Sequence, residues 1–358
     1  MAHLFDPLTL AHGPAMPNRF MLAPLTNLQS HADGTLGEDE LRWLEYRAQG
    51  GFGLTMTCAA HVQAVGQGFP GQLGIFADTH LEGLTRLAVA LKASNTLAIV
   101  QLHHAGMRAP AEAIGTRPVC PSENAEFNAR ALTTAEVEQL TEDFIAAAVR
   151  AERAGFDGVE IHGAHGYIVC QFLSAETNQR SDRYGGSLAN RSRLLLDLVA
   201  GIRARCRPDF QMGVRISPER FGMRLAEARA VVGRLMREGQ VDFVDLSLWD
   251  TFKEPVEEEF RGRTLLACFT DLERGRTRLG CAGKISSGPL AQRCLDEGAD
   301  FAVIGRAAIL HHDFPARVKA DPQFEARSLP VTAQHLRDER LGPAFIDYMR
   351  TWKNFVAD

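Results

Sequence analysis

Short apolar runs alternate with longer amphipathic stretches along most of the chain. Eight runs have strand length and composition: 19–25 (RFMLAPL), 53–58 (GLTMTC), 97–104 (LAIVQLHH), 158–163 (GVEIHG), 211–217 (QMGVRIS), 243–248 (FVDLSL), 279–285 (LGCAGKI) and 301–306 (FAVIGR). Most are almost continuously apolar, as parallel strands buried on both faces are. Helical periodicity fills the intervals at 79–93, 133–155, 187–206, 225–239 and 288–299. The second of these opens on a capping box, Thr133 with Glu136, and ends at Gly155. Roughly eight strand–helix units predict a (β/α)8 TIM barrel of the α/β class. A doubly wound sheet is the alternative, but it rarely needs eight consecutive repeats. No linker or repeat divides the chain, so one domain is expected over residues 1–358, with a C-terminal extension from about 320.

Composition narrows the setting. The 358 residues are 45% hydrophobic and 23% charged, with a net charge of −5, as expected of a soluble globular protein. An acidic balance argues against nucleic-acid or membrane-surface binding, which needs a basic patch. There is no signal-peptide pattern, and no apolar run of the roughly 18 residues that span a bilayer. A cytoplasmic location is expected. Cys58, Cys120, Cys170, Cys206, Cys268, Cys281 and Cys294 are scattered, without a C-x-x-C pair, which suits small core residues in a reducing compartment.

Barrel active sites lie at the C-terminal ends of the strands. Several strand ends here carry polar groups: Thr26, Gln101 with His103 and His104, His162 and His165, Arg215, and Gly305 with Arg306. The stretch HGAHGY at 162–167 crowds two histidines and a tyrosine. Zinc sites of the metalloprotease type use His-x-x-x-His with an intervening Glu; no carboxylate lies between this pair, and the glycines favour a turn. Two neutral imidazoles on such a turn could donate hydrogen bonds to one ligand oxygen, or could simply satisfy nearby backbone. Tyr167 is a natural donor to a carbanion-like centre. The glycine-rich stretches AGKISSG at 282–288 and IGR at 304–306, ending the seventh and eighth strands, stand where barrels often hold a phosphate, and Arg306 adds a fork suited to its oxygens. Arg215 requires an anionic partner, either a ligand or a strand-end acid such as Glu160 or Asp245. Gln101 offers the donor and acceptor that a ring with alternating C=O and N–H groups would need, or it bonds backbone.

Across nearly its whole length the chain resembles the Old Yellow Enzyme family of FMN-dependent ene-reductases. The carrying motifs are LFDPLTL, NRFMLAPLTN, RAQGGFGL, QLHHAG, the long block AGFDGVEIHGAHGYIVCQFLSAETNQRSDRYGGSLANRSR, GVRIS, and GKISSG followed by GADFAVIGRAAILHHDFP. The resemblance implies a barrel with one non-covalent FMN in its mouth and NADPH or NADH as reductant. Ala23, Pro24, Leu25 and Thr26 would lie along the flavin, Ala59 would touch the ring through its backbone, and Gln101 would pair with the pyrimidine edge. Arg215 would sit by N1 and O2, where reduction places negative charge. Gly283, Ser287, Gly288, Gly305 and Arg306 would hold the phosphate. His162 and His165 would clamp the oxygen of an α,β-unsaturated carbonyl substrate, or a phenol. Tyr167 would protonate the α-carbon after hydride delivery from flavin N5, in a ping-pong cycle.

The chain departs from some relatives, with Thr26 where they carry Cys, Leu28 where they carry Tyr, and Cys58 where an acid is common. In some relatives an arginine from a neighbouring subunit's C-terminal region enters the pocket; Arg337, Arg340 and Arg350 are the candidates, and a homodimer or higher homo-oligomer is expected. Two competing readings are a metal-dependent barrel hydrolase using His103, His104, His162 and His165, and a catalytically silent flavin-binding protein.

Overall fold

The structure is a computed structural model describing residues 2–357. Eight parallel strands close into a barrel: β1 (Phe20–Leu22), β2 (Leu54–His61), β3 (Leu97–His103), β4 (Gly158–Gly163), β5 (Gln211–Ile216), β6 (Phe243–Ser247), β7 (Arg278–Ala282) and β8 (Phe301–Ile304). Each strand pairs with its predecessor in sequence, and β8 closes onto β1 through Phe20–Ala302, Met21–Val303 and Leu22–Ile304. The eight predicted strands are all present, with altered ends. β1 stops at Leu22 because the Ala23 N–H gives the last bond, 3.0 Å to the Ile304 carbonyl, and Pro24 has no N–H to continue. β2 runs on to His61 past a register shift between Met56 and Ala59. β7 and β8 end at Ala282 and Ile304, which leaves the glycine-rich stretches in the loops beyond.

The helices on the outside are α1 (Glu38–Gln49), α2 (Leu81–Lys92), α3 (Thr134–Arg153), α4 (Arg193–Arg205), α5 (Leu225–Glu238) and α6 (Gly288–Asp296). The capping box of α3 forms as predicted, with both reciprocal bonds between Thr133 and Glu136. The helix predicted over 187–206 is broken: a separate turn, Leu188–Arg191, precedes α4. At the joint Ser192 donates its hydroxyl to the Leu188 carbonyl at 2.7 Å, the local bond by which serine bends a helix. α1 was not predicted, because charge dilutes its apolar face; Trp43, Leu44 and Ala48 are nonetheless buried. Among the described residues no helix is long and apolar enough to cross a membrane.

The barrel interior is layered. Met21, Leu54, Met56, Ile99, Phe243, Phe301 and Val303 fill the lower part, with Leu8, Leu10 and Met16 of the N-terminal hairpin beneath them. Phe243 and Phe301 meet edge to face at 5.8 Å. A Cβ on Gly213 or Gly280 would come within 2.2 or 2.1 Å of these rings, so glycine makes room for both. One inward step further along the strands, the layer turns polar: Gln101, Glu160, Arg215 and Asp245, all buried. Above it opens the mouth, partly roofed by helix α7 (Pro343–Arg350). That helix is anchored by Phe345 on Trp43 of α1, ring centroids 5.4 Å apart.

Candidate active site

A cavity of about 320 Å³ occupies the mouth. Its floor and walls come from strand ends: Pro24, Leu25 and Thr26 after β1, Ala59 on β2, Gln101 and His103 on β3, His162 on β4 and Arg215 on β5. His165 and Tyr167 enter from the turn after β4, while Tyr348, Met349 and Trp352 close the top. The turn is tight, with His165 at φ +61 and Gly166 at φ +71. Tyr167 then stands at the N-cap of the helix Ile168–Leu173.

The histidines form a chain. His103 Nδ1 lies 3.1 Å from His162 Nδ1, His162 Nε2 lies 2.9 Å from His165 Nδ1, and His165 Nε2 lies 2.6 Å from Ser247 Oγ. Burial, reinforced by neighbouring cationic groups, pushes His103 and His162 well below the ordinary imidazole range and His165 down to about 3. All three are therefore neutral near pH 7, one N–H each, so the chain has a single direction of donation at any moment. His104 lies outside it: its Nε2 is 3.1 Å from Gln63 Oε1, and its Nδ1 accepts the Gly106 N–H. The four histidines thus do not make one ligand set. Among the described residues the only group able to hold a metal ion is His311, Asp313 and Glu339, away from the cavity.

These depressed values make a stability prediction. Below the unfolded value of about 6.5, the unfolded chain binds protons that the folded chain refuses, so stability falls with pH. The urea midpoint is expected to drop from about pH 6.5 toward pH 4, where His165 and His104, the latter also held down to about 3, are still neutral only in the folded state. It should decline again toward pH 8 as the raised Glu160 and Asp245 are forced to ionise. A midpoint independent of pH between 7 and 4.5 would contradict this.

The polar layer holds two carboxylates against one guanidinium. Arg215 Nε lies 3.0 Å from Asp245 Oδ2, although neither atom meets hydrogen-bond geometry; the contact is an ion pair across β5 and β6. Gln101 Nε2 donates to Glu160 Oε1 at 2.7 Å, and Glu160 Oε2 has no partner. Burial and the neighbouring Asp245 push Glu160 up to about 8, against the pull of Arg215 and Gln101. Burial likewise raises Asp245, with Arg215 opposing. Of the two strand-end acids considered for Arg215, Asp245 is the one in contact.

Tyr167 is raised by burial, with the Arg108 guanidinium pulling the other way from 5.2 Å over the ring. Arg108 is fixed by donating to the His165 carbonyl at 2.8 Å. At the far end of the mouth, Gly305 caps the short helix Arg306–Leu310, and the exposed Arg306 forms no ion pair among the described residues. Gly283 follows β7, where a Cβ would press on Thr251 and Asp250 backbone at 2.8 and 3.0 Å. Two of the predicted phosphate ligands are otherwise engaged. The Gly288 N–H donates to the Phe324 carbonyl at 2.9 Å, and a Cβ there would meet the Pro322 carbonyl at 2.4 Å, so this glycine serves packing. Ser287 Oγ accepts the Leu290 N–H as the cap of α6. The Ala59 carbonyl accepts from Gln72 Nε2 at 2.7 Å.

Sequence reasoning missed Ser247, Arg108, Phe69, Ile309 and the roof residues. Ser247 alternates with Asp245 and Phe243 on β6, a period-two signal that could have placed it inward; nothing local marks Tyr348, Met349 or Trp352. Arg337, Arg340 and Arg350 line a separate groove of about 330 Å³ on the outer side of α7. They do not reach this chain's own cavity. All seven cysteines are free and buried.

Over residues 3–324 the chain matches the NADH:flavin oxidoreductase / NADH oxidase family. It is 35% identical over 327 residues to a probable NADH-dependent flavin oxidoreductase of Bacillus subtilis, covering 88% of this chain and 87% of the relative. An NADPH dehydrogenase of Bacillus pumilus is 32% identical over 355 residues, 98% of this chain and 99% of that one. An NADH:fumarate oxidoreductase of Klebsiella pneumoniae is 33% identical across 90% of this chain, which spans only 36% of that protein. Among solved structures, an Old Yellow Enzyme homologue from Zymomonas mobilis superposes with a TM-score of 0.80 at 27% identity, covering 97% of this chain and 99% of that one. Morphinone reductase in complex with tetrahydroNAD gives 0.79 at 28% identity over 100% of this chain and 98% of its own.

Proposed function

Because this chain belongs to the NADH:flavin oxidoreductase / NADH oxidase family and is an FMN-dependent NAD(P)H oxidoreductase of the Old Yellow Enzyme type, we propose that it reduces the activated C=C bond of α,β-unsaturated carbonyl or nitro compounds. The observation that carries this reading is the convergence of two neutral imidazoles and a neutral phenol on one cavity above a buried guanidinium.

The residues fit FMN. Arg215 Nε is buried and without a hydrogen-bond partner, and beside Gln101 it lines the cavity floor. That is a donor set for the carbonyl and nitrogen edge of a flavin ring. Ala23, Pro24, Leu25, Thr26 and Ala59 would flank the ring, while Gly283, Gly305 and Arg306 would take the phosphate. The chemistry FMN supplies when bound is hydride transfer, in from NAD(P)H and out to substrate.

The histidine chain explains how the clamp is prepared. If donation runs from His103 toward Ser247, His162 and His165 both carry their proton on Nε2. Both Nε2–H groups can then turn to one substrate oxygen, which takes the place of His165 Nδ1 as the acceptor for His162 and of Ser247 Oγ as the acceptor for His165. Two donors at that oxygen draw electron density from the β-carbon and stabilise the enolate-like charge that follows hydride arrival. Tyr167 then delivers its proton to the α-carbon, and Arg108 over the ring stabilises the phenolate left behind.

The test is phenol binding to the FMN-loaded enzyme, read by the flavin spectrum, together with NAD(P)H-dependent reduction of a cyclic enone. His162→Ala and His165→Ala are each expected to raise the phenol Kd by about tenfold or more, the value of a hydrogen bond to a charged oxygen. Unchanged affinity in both would refute the clamp.

A further inference from the structure

Beside the clamp the backbone does something unusual. Arg220, Phe221 and Gly222 take consecutive left-handed conformations, at φ +70, +55 and +73, and the facing Trp249 sits at φ +61. Glycine adopts that region freely; arginine, phenylalanine and tryptophan do not, and such strain persists where surrounding structure enforces it, often at functional sites. What the strain builds is a rim. Phe221 packs on Gly166, where a Cβ would lie 3.0 Å from its Cδ1, and meets the His165 ring edge to face at 6.3 Å. The guanidiniums of Arg108 and Arg220 each lie 5.9 Å from the Phe221 ring centre. Arg220 also stacks at 4.5 Å over Trp249, a residue 66% exposed.

Two of the acids beside this rim are neutralised, whereas Glu176, whose Oε2 would lie 3.0 Å from a Cβ on Gly222, forms no ion pair among the described residues. Glu219 pairs with Lys253 at 2.6 Å and Asp250 with Lys284 at 2.9 Å. Arg108 and Arg220 form no ion pair among the described residues; they are held by rings and by one backbone carbonyl. A shallow groove running from His165 and Ser247 to Arg220 and Trp249 joins this positive rim to the clamp.

We propose that Arg108 and Arg220 form an anion-binding rim that selects reactants carrying a carboxylate or phosphate group beyond the group held by His162 and His165. Two reactants have that chemistry: an α,β-unsaturated substrate with a second, anionic end, and NAD(P)H through its pyrophosphate. The aromatic rings keep both guanidiniums extended and spaced, so that neither folds back onto a neighbouring acid. For the substrate arm, the inference rests on the ene-reduction reading above.

The experiment measures both half-reactions of the FMN-loaded enzyme by stopped flow, using a matched pair of oxidants, an enone ester and its free acid, and NADH and NADPH as reductants. In the wild type the anionic reactant is expected to lose affinity as salt rises, while the ester does not. Arg220→Ala should reduce the preference for the anionic reactant about threefold, and Arg108→Gln with Arg220→Ala about tenfold. Arg220→Lys should restore most of the preference, which a purely structural role would not. An effect confined to the free acid assigns the rim to substrate; one confined to the nucleotides assigns it to the reductant. If the wild type reduces neither oxidant, the ene-reduction reading fails and the rim is judged on the nucleotide half-reaction alone. Salt-independent rates in both halves, unchanged by Arg220→Ala and the double variant, overturn the proposal.

Discussion

Replacing Tyr167 by Phe is expected to slow the oxidative half-reaction with a cyclic enone by about 10²–10⁴-fold, the usual worth of a placed general acid, while reduction by NAD(P)H stays close to wild type. The reasoning starts from burial, which holds the phenol above its ordinary range and keeps it protonated at pH 7. A protonated donor is useful only if it can give the proton up, and the Arg108 guanidinium 5.2 Å from the ring favours the phenolate. The substitution removes one oxygen and little else. The ring contacts to His103 at 4.3 Å and to His162 at 5.0 Å can persist, so the clamp should keep its shape. Stopped-flow traces of the two half-reactions separate the cases. Equal slowing of both would remove Tyr167 from the donor role.

A second large effect is expected from Arg215→Met. The polar layer would then contain Glu160 and Asp245 with no counter-charge, and breaking a buried pair by removing one partner costs about 3–5 kcal/mol. The loss should appear as a lower urea midpoint. It should be greater at high pH: both carboxylates are raised above their unfolded values, so their neutral forms are tolerated below those values and the penalty grows as pH climbs through about 8 for Glu160. FMN retention after dialysis should fall at least tenfold if Arg215 is the charged donor proposed for the flavin edge. Adding Asp245→Asn should recover part of the stability and none of the FMN affinity. If both recover together, Arg215 acts only on the fold.

The strand pattern was legible because parallel barrel strands bury both faces, leaving apolar runs that need no partner to be recognised. The histidines and Tyr167 were legible for a related reason: they interrupt such a run where it ends. What could not be read were choices made between strands. Arg215 called for an anion, but whether Glu160 or Asp245 supplies it depends on side-chain direction across β4, β5 and β6. His103 looked interchangeable with His104, yet alternation along β3 turns His103 toward His162 and sends its neighbour to Gln63. The resemblance placed Gly288 among the phosphate ligands; no local signal shows that its N–H donates to the Phe324 carbonyl or that Pro322 packs against it. The Arg220–Phe221 conformation has no sequence mark at all, since neither residue type favours a positive φ.

The roof of the cavity carries its own consequence. Tyr348, Met349 and Trp352 shape the space above the clamp, yet the helix that bears the first two and ends just before the third is fastened to Trp43 on the outer layer. In the proposed reading, hydride and proton chemistry belongs to the strand ends and the turn after β4, whereas the tail supplies part of the outline of what enters. Selection can therefore rewrite the guest list by editing residues 343–357 while the reacting groups stay untouched, and a library confined to that segment is the economical way to retarget this catalyst.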